Sequence, residues 1–502
     1  MRTEILFGPP GTGKTTSLLN CVDEELQRGT PPDRIGYFSF TKRAADEAIT
    51  RAVKKFGMEH DQFPYFRTLH SLCYKGLEMS RSDVLAGSKL HQDFADYAKI
   101  RITGRWTEDG TYSGMADGDR ILHIDNMARV RCIPLRKAYN DDEPNIDWNL
   151  VDYVSRCLRA FKDAHGLLDY TDMLEEYVKS NMSPQLKVLI VDEVQDLSPL
   201  QWNVVKQISN GCERMIVAGD DDQAIYQWAG ADVRKFLELE GESRVLEQSW
   251  RVPRQIQNIS ARLSSKIRNR HKKQWNPRDA EGIVERKSDL DLVDFNGSDV
   301  LVLTRNEFLM PRIQSTLKQQ GIVYEHHGHP SIKQSYLEAA EHWTHLSRGD
   351  PISVDAARRV YSLMSIGRGV QRGYKTLPRR QDDELVTHSE LCKDGGLLVD
   401  KNVPWHTALD RLPPEEIAYM LAARRRGIKL RQKPAVRLST IHSAKGAEAD
   451  HVVLLLEMAK RSHREIDVNP DDELRVWYVA VTRAKEKLTL VDSSTYLECP
   501  WL

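Results

Sequence analysis

The chain opens on a short apolar run at 3–7 (TEILF), and two runs of the same kind follow at 187–191 (KVLIV) and 214–218 (RMIVA). Apolar, β-branched runs of this length, closed by glycine or carboxylate residues, are expected of strands covered on both faces in a parallel sheet. After the first run, Leu18, Leu19, Val22 and Leu26 recur at the spacing of one helical face. Two later runs, 436–440 (VRLST) and 452–456 (VVLLL), predict a second set of buried strands. Elsewhere the period is helical: Val151, Val154, Leu158 and Phe161 within 76–165, and Tyr336, Ala340, Trp343 and Leu346 within 331–433. The pattern predicts an α/β protein with buried parallel strands and helical stretches between them.

Length and composition sharpen this only a little. A chain of 502 residues exceeds what one core supports and predicts about two to four domains. Hydrophobic residues at 40% and charged residues at 29% place it in the ordinary globular class. With 72 Lys and Arg against 73 Asp and Glu the net charge is -1, so any nucleic-acid contact must come from local basic patches. The seven cysteines form no CxxC pair, which argues against a zinc site, an iron–sulfur cluster or a disulfide framework. No basic leader precedes the first strand, and no apolar stretch approaches the roughly 20 residues that cross a bilayer. A soluble, cytoplasmic protein without a membrane partner is expected.

Candidate chemistry begins where the first strand ends. Gly8-Pro9-Pro10-Gly11-Thr12-Gly13-Lys14-Thr15-Thr16 matches GxxxxGK[ST] between a strand and a helix, the context this phosphate-binding loop needs. Glycines let backbone N–H groups approach phosphate oxygens, and the helix N-terminus adds positive potential. Lys14 is expected to reach the β- and γ-phosphates of ATP, and the Thr15 hydroxyl to coordinate Mg²⁺. The run at 187–191 ends at Asp192-Glu193-Val194-Gln195-Asp196. A carboxylate at the C-terminal end of a parallel strand faces the ligand crevice, so Asp192 is expected to hold Mg²⁺ and Glu193 to polarise the attacking water. The run at 214–218 leads to Gly219-Asp220-Asp221-Asp222-Gln223, whose amide is placed to sense the γ-phosphate. Tyr226 and Trp228 follow at alternating positions, which lets one ring pack while the other stacks on a base.

These residues resemble the UvrD/Rep/PcrA branch of superfamily 1 helicases. DEVQD with Gln201 is similar to DExQDxxxxQ, and GDDDQAIYQWAGA (219–231) to GDxDQxIYxFRGA. The remaining matches follow in the family's order. Phe40-Thr41-Lys42-Arg43-Ala44-Ala45 resembles TFTNKAA, Arg67-Thr68-Leu69-His70-Ser71-Leu72 resembles TFHSL, and Tyr170-Thr171-Asp172-Met173-Leu174 resembles DFxDLL. Leu246-Glu247-Gln248-Ser249-Trp250-Arg251 matches LxxNYR, Leu301-Val302-Leu303-Thr304-Arg305-Asn306 resembles VLxRxN, and 439–448 (STIHSAKGAE) matches TxHxAKGLE. The last, 475–484 (RVWYVAVTRA), matches RLxYVxxTRA. Three departures stand out: Ala229 replaces the arginine of FRGA, Trp250 replaces a tyrosine, and the seven residues before Gly8 hold no glutamine motif to read adenine.

The resemblance implies two RecA-like cores with ATP in the cleft between them. The expected division is 1–75 with 166–244 as the first core and 245–330 with 434–502 as the second. Residues 76–165 and 331–433 are then the accessory insertions. It further implies that Arg251 and Arg483 act across the cleft on the γ-phosphate, and that Glu448 contacts the ribose or anchors the cleft. Phe40, Thr41, Lys42, Phe66, His70, Tyr226, Trp228 and His442 are the expected DNA contacts, with Trp228 the stacking platform. The implied activity is ATP-driven 3′-to-5′ movement on single-stranded DNA coupled to unwinding at single/double-strand junctions, with replication or repair proteins as partners. Two alternatives remain open: a translocase that strips proteins while unwinding little, and a P-loop regulatory ATPase acting on a protein. The compact second insertion weakens the claim of processive unwinding and leaves room for the translocase, and the full motif set disfavours the regulator. The basic run 367–380 is read as a solvated loop or a duplex contact. His326, His327 and His329 cluster without a Cys or acidic pattern beside them and are read as a surface loop.

Overall fold

A computed structural model of the chain describes residues 1–106, 112–113, 116–142, 145–297, 299–378, 380–428 and 432–502. The sequence at 103–119, rich in turn residues, and the basic run 367–380 lie partly outside the described residues.

Six strands form the first sheet: β1 (Arg2–Phe7), β2 (Ile35–Ser39), β3 (Phe66–Thr68), β4 (Val188–Val191), β5 (Arg214–Gly219) and β6 (Glu242–Val245). Their order is β3-β2-β4-β5-β1-β6, and every pairing is parallel. Alternate side chains along each strand enter different layers, which is why the runs read as continuously apolar. Ile5, Phe7, Phe38, Leu189, Val191 and Val217 pack on one face with Leu69, Leu72, Met173, Val204 and Ile208. Leu6, Tyr37, Val188, Ile190, Ile216 and Ala218 pack on the other with Leu18, Leu19, Val22, Ala48, Ile49 and Ala52. Each such aliphatic side chain contributes roughly 1.5–3 kcal/mol when fully buried. The expected helical face at Leu18, Leu19 and Val22 belongs to α1 (Lys14–Gln27), and Ala48, Ile49 and Ala52 belong to α2 (Lys42–Phe56).

Seven strands form the second sheet: β7 (Ile283–Lys287), β8 (Val300–Thr304), β9 (Tyr324–His326), β10 (His329–Pro330), β11 (Val436–Thr440), β12 (Ala449–Leu455) and β13 (Ala484–Val491). The order is β10-β9-β11-β8-β12-β13-β7, parallel except for the β9–β10 hairpin. The expected α/β class with two parallel sheets is therefore present.

Both insertions carry cores of their own. In the first, Val151, Val154, Leu158 and Phe161 lie on the helix Trp148–His165, capped by the Asp147 carboxylate and ended by Gly166 at φ 61. In the second, Trp343, Leu346, Val360, Tyr361, Leu391 and Tyr419 share one core, and Trp343 Nε1 donates to Val403 O at 2.8 Å.

The chain divides into two compact units, 1–282 with 465–482, and 283–464 with 483–502. The boundary thus differs from the expected one at 244/245: residues 245–282 and 465–482 pack with the first sheet. The reason is local. Ser249 Oγ donates to Pro10 O at 2.7 Å, Trp250 N to Gly11 O at 2.8 Å, and Arg475 Nε to Asp221 O at 2.9 Å.

Candidate functional site

Register sets the site. Phe7 pairs with Gly219, and Val191 pairs with both Val217 and Phe38, so the segments after β1, β4 and β5 leave the sheet at one edge. Open parallel sheets bind ligands outside the carboxyl ends of their strands.

The loop at 8–13 is shaped by its glycines. A Cβ on Gly8 would stand 2.0 Å from Lys14 Cγ, so a side chain there would displace the lysine. Gly11 and Gly13 have φ of 71 and 80, the left-handed region that favours glycine. Gly13 is the N-cap of α1 with no side-chain cap, leaving the N–H groups of the first turn directed to the loop. Thr12 Oγ1 closes the turn by donating to Pro9 O at 2.8 Å. Lys14 Nζ donates to Gly8 O at 3.1 Å and stands 3.5 Å from Glu193 Oε1. Thr15 is half-buried and Thr16 exposed.

Asp192 and Glu193 meet Lys14 there. Asp192 is buried; its Oδ2 accepts from Tyr37 Oη at 2.9 Å and its Oδ1 from Glu193 N at 2.9 Å. Burial first, and then the neighbouring Glu193 charge, push its carboxyl up to about 6. Glu193 sits at φ 55, a left-handed conformation sparsely used outside glycine, which turns its side chain out of the strand direction. Gln195 Nε2 donates to Glu193 Oε2 at 2.5 Å, while Gln195 Oε1 accepts from Asp220 N at 3.1 Å. Two adjacent carboxylates, one of them buried, with only part of their charge met by Lys14, suit a hard divalent cation such as Mg²⁺.

The segment after β5 is latched by a buried cation. Lys273 is 0% exposed, with Nζ 3.0 Å from Asp220, 2.6 Å from Asp221 and 2.8 Å from Asp222. Arg270 pairs with Asp222, and His271 N donates to Asp221 at 2.8 Å. Gln223 is buried, its Nε2 donating to Asp220 Oδ2 at 2.6 Å. The same segment then delivers aromatics: Tyr226 stacks on Phe40 at 5.5 Å between centroids, and Trp228 meets Tyr226 edge-on at 6.4 Å. Trp228 is 50% exposed.

Phe40, Thr41, Lys42, Phe66 and His70 come together around one groove of about 970 Å³ in the first unit. Thr41 caps α2, and Lys42 is exposed at its first turn. His70 lies edge-on to Tyr170 at 6.2 Å. Phe66 corrects an expectation. It is 5% exposed, packed on Tyr37 at 5.2 Å and Phe63 at 4.8 Å, so its ring belongs to the core and offers no face to a base. Arg67 and Lys75 also line the groove. Burial lowers the Arg67 pKa, and the Arg67 charge lowers that of Lys75; Lys42, Arg67, Lys75 and Arg81 line the groove beside one carboxylate, Asp46. A polyanion complements that charge.

Arg251 lies in the first unit beside the P-loop, its Cβ 2.3 Å from where a Gly11 Cβ would stand. The expectation that it projects from the second core is corrected, because the Ser249–Pro10 and Trp250–Gly11 hydrogen bonds hold its segment to the first. The Trp250 ring is 73% exposed, and Ala229 is half-buried. Arg483, Glu448 and His442 belong to the second unit. Arg483 is 2% exposed with Nη1 donating to Ala447 O at 3.4 Å; Glu448 and His442 are half-buried.

Tyr37, Gln195, Lys273, Arg67 and Lys75 were not singled out by the sequence. Gln195 and Arg67 sit inside quoted motifs and were within reach. Tyr37 and Lys273 carry no local signal, because their partners are remote in sequence.

A glycine loop and a strand-end Asp-Glu pair on one parallel sheet define the P-loop nucleotide-binding class. Within it, the chain belongs to the UvrD/Rep helicase family. The UvrD/REP helicase N-terminal domain matches residues 2–244, and the UvrD-like helicase C-terminal domain matches 416–495. The ATP-dependent DNA helicase UvrD2 of Mycobacterium tuberculosis (strain ATCC 25618 / H37Rv) is 25% identical, covering 96% of this chain and 75% of the relative. The ATP-dependent DNA helicase Rep of Escherichia coli (strain K12) is 24% identical over 49% of this chain and 39% of its own length. Among solved structures, the arterivirus nonstructural protein 10 helicase is 12% identical, covers 99% of this chain and 61% of its own, and gives a TM-score of 0.34, a likeness too loose to bear on the site.

Proposed function

We propose that this chain is an ATP-dependent DNA helicase that translocates 3′ to 5′ on single-stranded DNA and couples hydrolysis to unwinding. One observation carries the reading: residues 219–231 run without a break from the nucleotide edge to the aromatic row beside the cationic groove. Asp220 is tied to Gln195, which holds Glu193, and Tyr226 stacks on Phe40. A shift of the Glu193–Gln195 pair on hydrolysis is thereby passed to Trp228.

In this reading Lys14 and the loop N–H groups hold the phosphates, and Glu193 accepts a proton from the attacking water. Asp192 and Thr15 hold Mg²⁺, which when bound supplies Lewis-acid stabilisation of phosphate charge. Tyr37 keeps Asp192 oriented. Trp250, exposed and tethered to Gly11, offers adenine an aromatic face. Arg251 and Arg483 stabilise charge on the transferring phosphoryl group. Glu448 contacts the ribose, and Phe40, Thr41, Lys42, His70, Trp228 and His442 hold the strand.

Strand displacement on substrates with 3′ or 5′ overhangs tests this. Unwinding only from a 3′ overhang, dependent on ATP and abolished in Glu193→Gln, is the expected result. ATP-dependent release of streptavidin from a biotinylated strand without strand displacement would select the translocase. ATPase activity indifferent to single-stranded DNA would remove both.

A further inference from the structure

The histidines of the β9–β10 hairpin acquire in the fold the acidic partner that the sequence does not place near them. Glu307 begins the turn after β8, and His326 closes β9. Both strands run parallel to β11, one on each side of it, so Glu307 and His326 come to the same end of the second sheet. His326 Nε2 is 3.2 Å and His327 Nε2 is 3.3 Å from the same Glu307 oxygen, Oε1, and the two imidazoles lie 4.0 Å apart between centroids. The three ligand atoms fall within 4.8 Å of one another.

We infer that Glu307, His326 and His327 form a binding site for a borderline divalent transition metal such as Zn²⁺, Co²⁺ or Ni²⁺. Two imidazole nitrogens converge on a single carboxylate oxygen. Ligand atoms each about 2.0–2.1 Å from a tetrahedral ion stand about 3.3 Å apart, which is the observed spacing of both nitrogens from Oε1. Two imidazoles and a carboxylate are a donor set for zinc-like ions, whereas Mg²⁺ and Ca²⁺ take oxygen.

The surroundings support the site. His326 is half-buried, and its Nδ1 lies 3.1 Å from the Gln314 side-chain amide. The amide oxygen and nitrogen of Gln314 exchange places by a simple flip. In the structure Gln314 Nε2 faces Nδ1; flipped, with its oxygen facing Nδ1–H, Gln314 would hold the tautomer that turns the Nε2 lone pair toward a bound ion. His327 adopts φ 50, a left-handed turn that brings its ring back over His326. His329 is paired across the hairpin from His326 and is exposed, so a fourth donor is close at hand along with water. A bound ion would pin the hairpin to the turn after β8.

The test is titration of the EDTA-treated full chain with Zn²⁺ by calorimetry, in excess Mg²⁺ so that the carboxylates beside the P-loop are occupied. Co²⁺ absorption serves as the spectroscopic probe. One zinc per chain, a visible Co²⁺ band, and at least about a tenfold loss of affinity in His327→Ala and in Glu307→Gln are expected. Glu307 and His327 are both exposed, so neither substitution removes core packing. Absence of zinc binding, or binding equally tight in both variants, would overturn the site; the second outcome would move the ion elsewhere, for example to the Cys392–His388 pair at 3.6 Å.

Discussion

The two sheets are both mainly parallel, differ in strand order, and are equipped differently at their carboxyl ends. In the first, β1 runs into a glycine loop whose backbone opens toward a ligand, and β4 ends in the Asp192–Glu193 pair. In the second, the central strand β8 runs into Asn306 and Glu307. Asn306 is spent on its own unit: its Nδ2 donates to Ser462 Oγ at 2.8 Å and its Oδ1 accepts from Ala459 N at 2.8 Å. Parallel strands supply a crevice at their carboxyl ends, but left-handed glycines and an open helix N-terminus decide whether phosphate fits there. The glycine loop and the Asp192–Glu193 pair both lie at the carboxyl end of the first sheet.

The sharpest way to break this comparison is at the carboxylate beside Lys14. Glu193→Gln should lower the ATPase rate by about 10²–10⁴-fold, the usual contribution of a general base, in a coupled phosphate-release assay. A rate near wild type would place the base elsewhere.

The next contrast is between buried and exposed ion pairs. Lys273→Met leaves three buried aspartates without their cation and should cost about 3–5 kcal/mol in urea denaturation. Arg437→Met removes the half-exposed pair with Asp299 in the second unit, 2.6 Å apart, and should cost no more than about 1 kcal/mol. Equal losses would mean that the aspartate cluster finds other compensation.

A third test separates platform from core. Trp228→Ala should weaken binding of a single-stranded oligonucleotide by about 1–3 kcal/mol, read by fluorescence anisotropy. Phe66→Leu should instead lower the denaturation midpoint while leaving that affinity near wild type. If the two variants exchange effects, the assignment of the rings is reversed.

The smallest effect is a pH dependence confined to the second unit. Burial first, and then the Lys487 charge, lower the His451 pKa to about 4, and its Nε2 lies 2.8 Å from Thr489 Oγ1. The folded state therefore favours neutral imidazole. That contribution is fully present above the unfolded value near 6.5 and is lost as pH falls toward about 4. The urea midpoint of wild type should fall more steeply over this window than that of His451→Asn; parallel curves would remove His451 as the cause.

The parts of the site legible in the sequence are those whose chemistry is contiguous. The P-loop needs consecutive backbone angles, the Asp192–Glu193 pair needs only the end of a buried strand, and Trp228 needs to follow a β5 turn. The runs at 436–440 and 452–456 likewise lie on β11 and β12, because both faces of a parallel strand are covered and its apolar character is continuous.

What the fold decided lies between residues distant in the chain. Lys273 reads as one lysine among 72 Lys and Arg, and only closure of 245–282 onto the first sheet sets it among three carboxylates. The same closure placed Arg251 beside Gly11, against the division expected from motif order. Phe66 became core because Tyr37 and Phe63 reached it first. The histidines at 326–329 looked incomplete until parallel pairing brought Glu307 to them. Local pattern fixes backbone shape and strand burial through short-range sterics and solvation, whereas charge compensation depends on which side chains the packed sheets bring together.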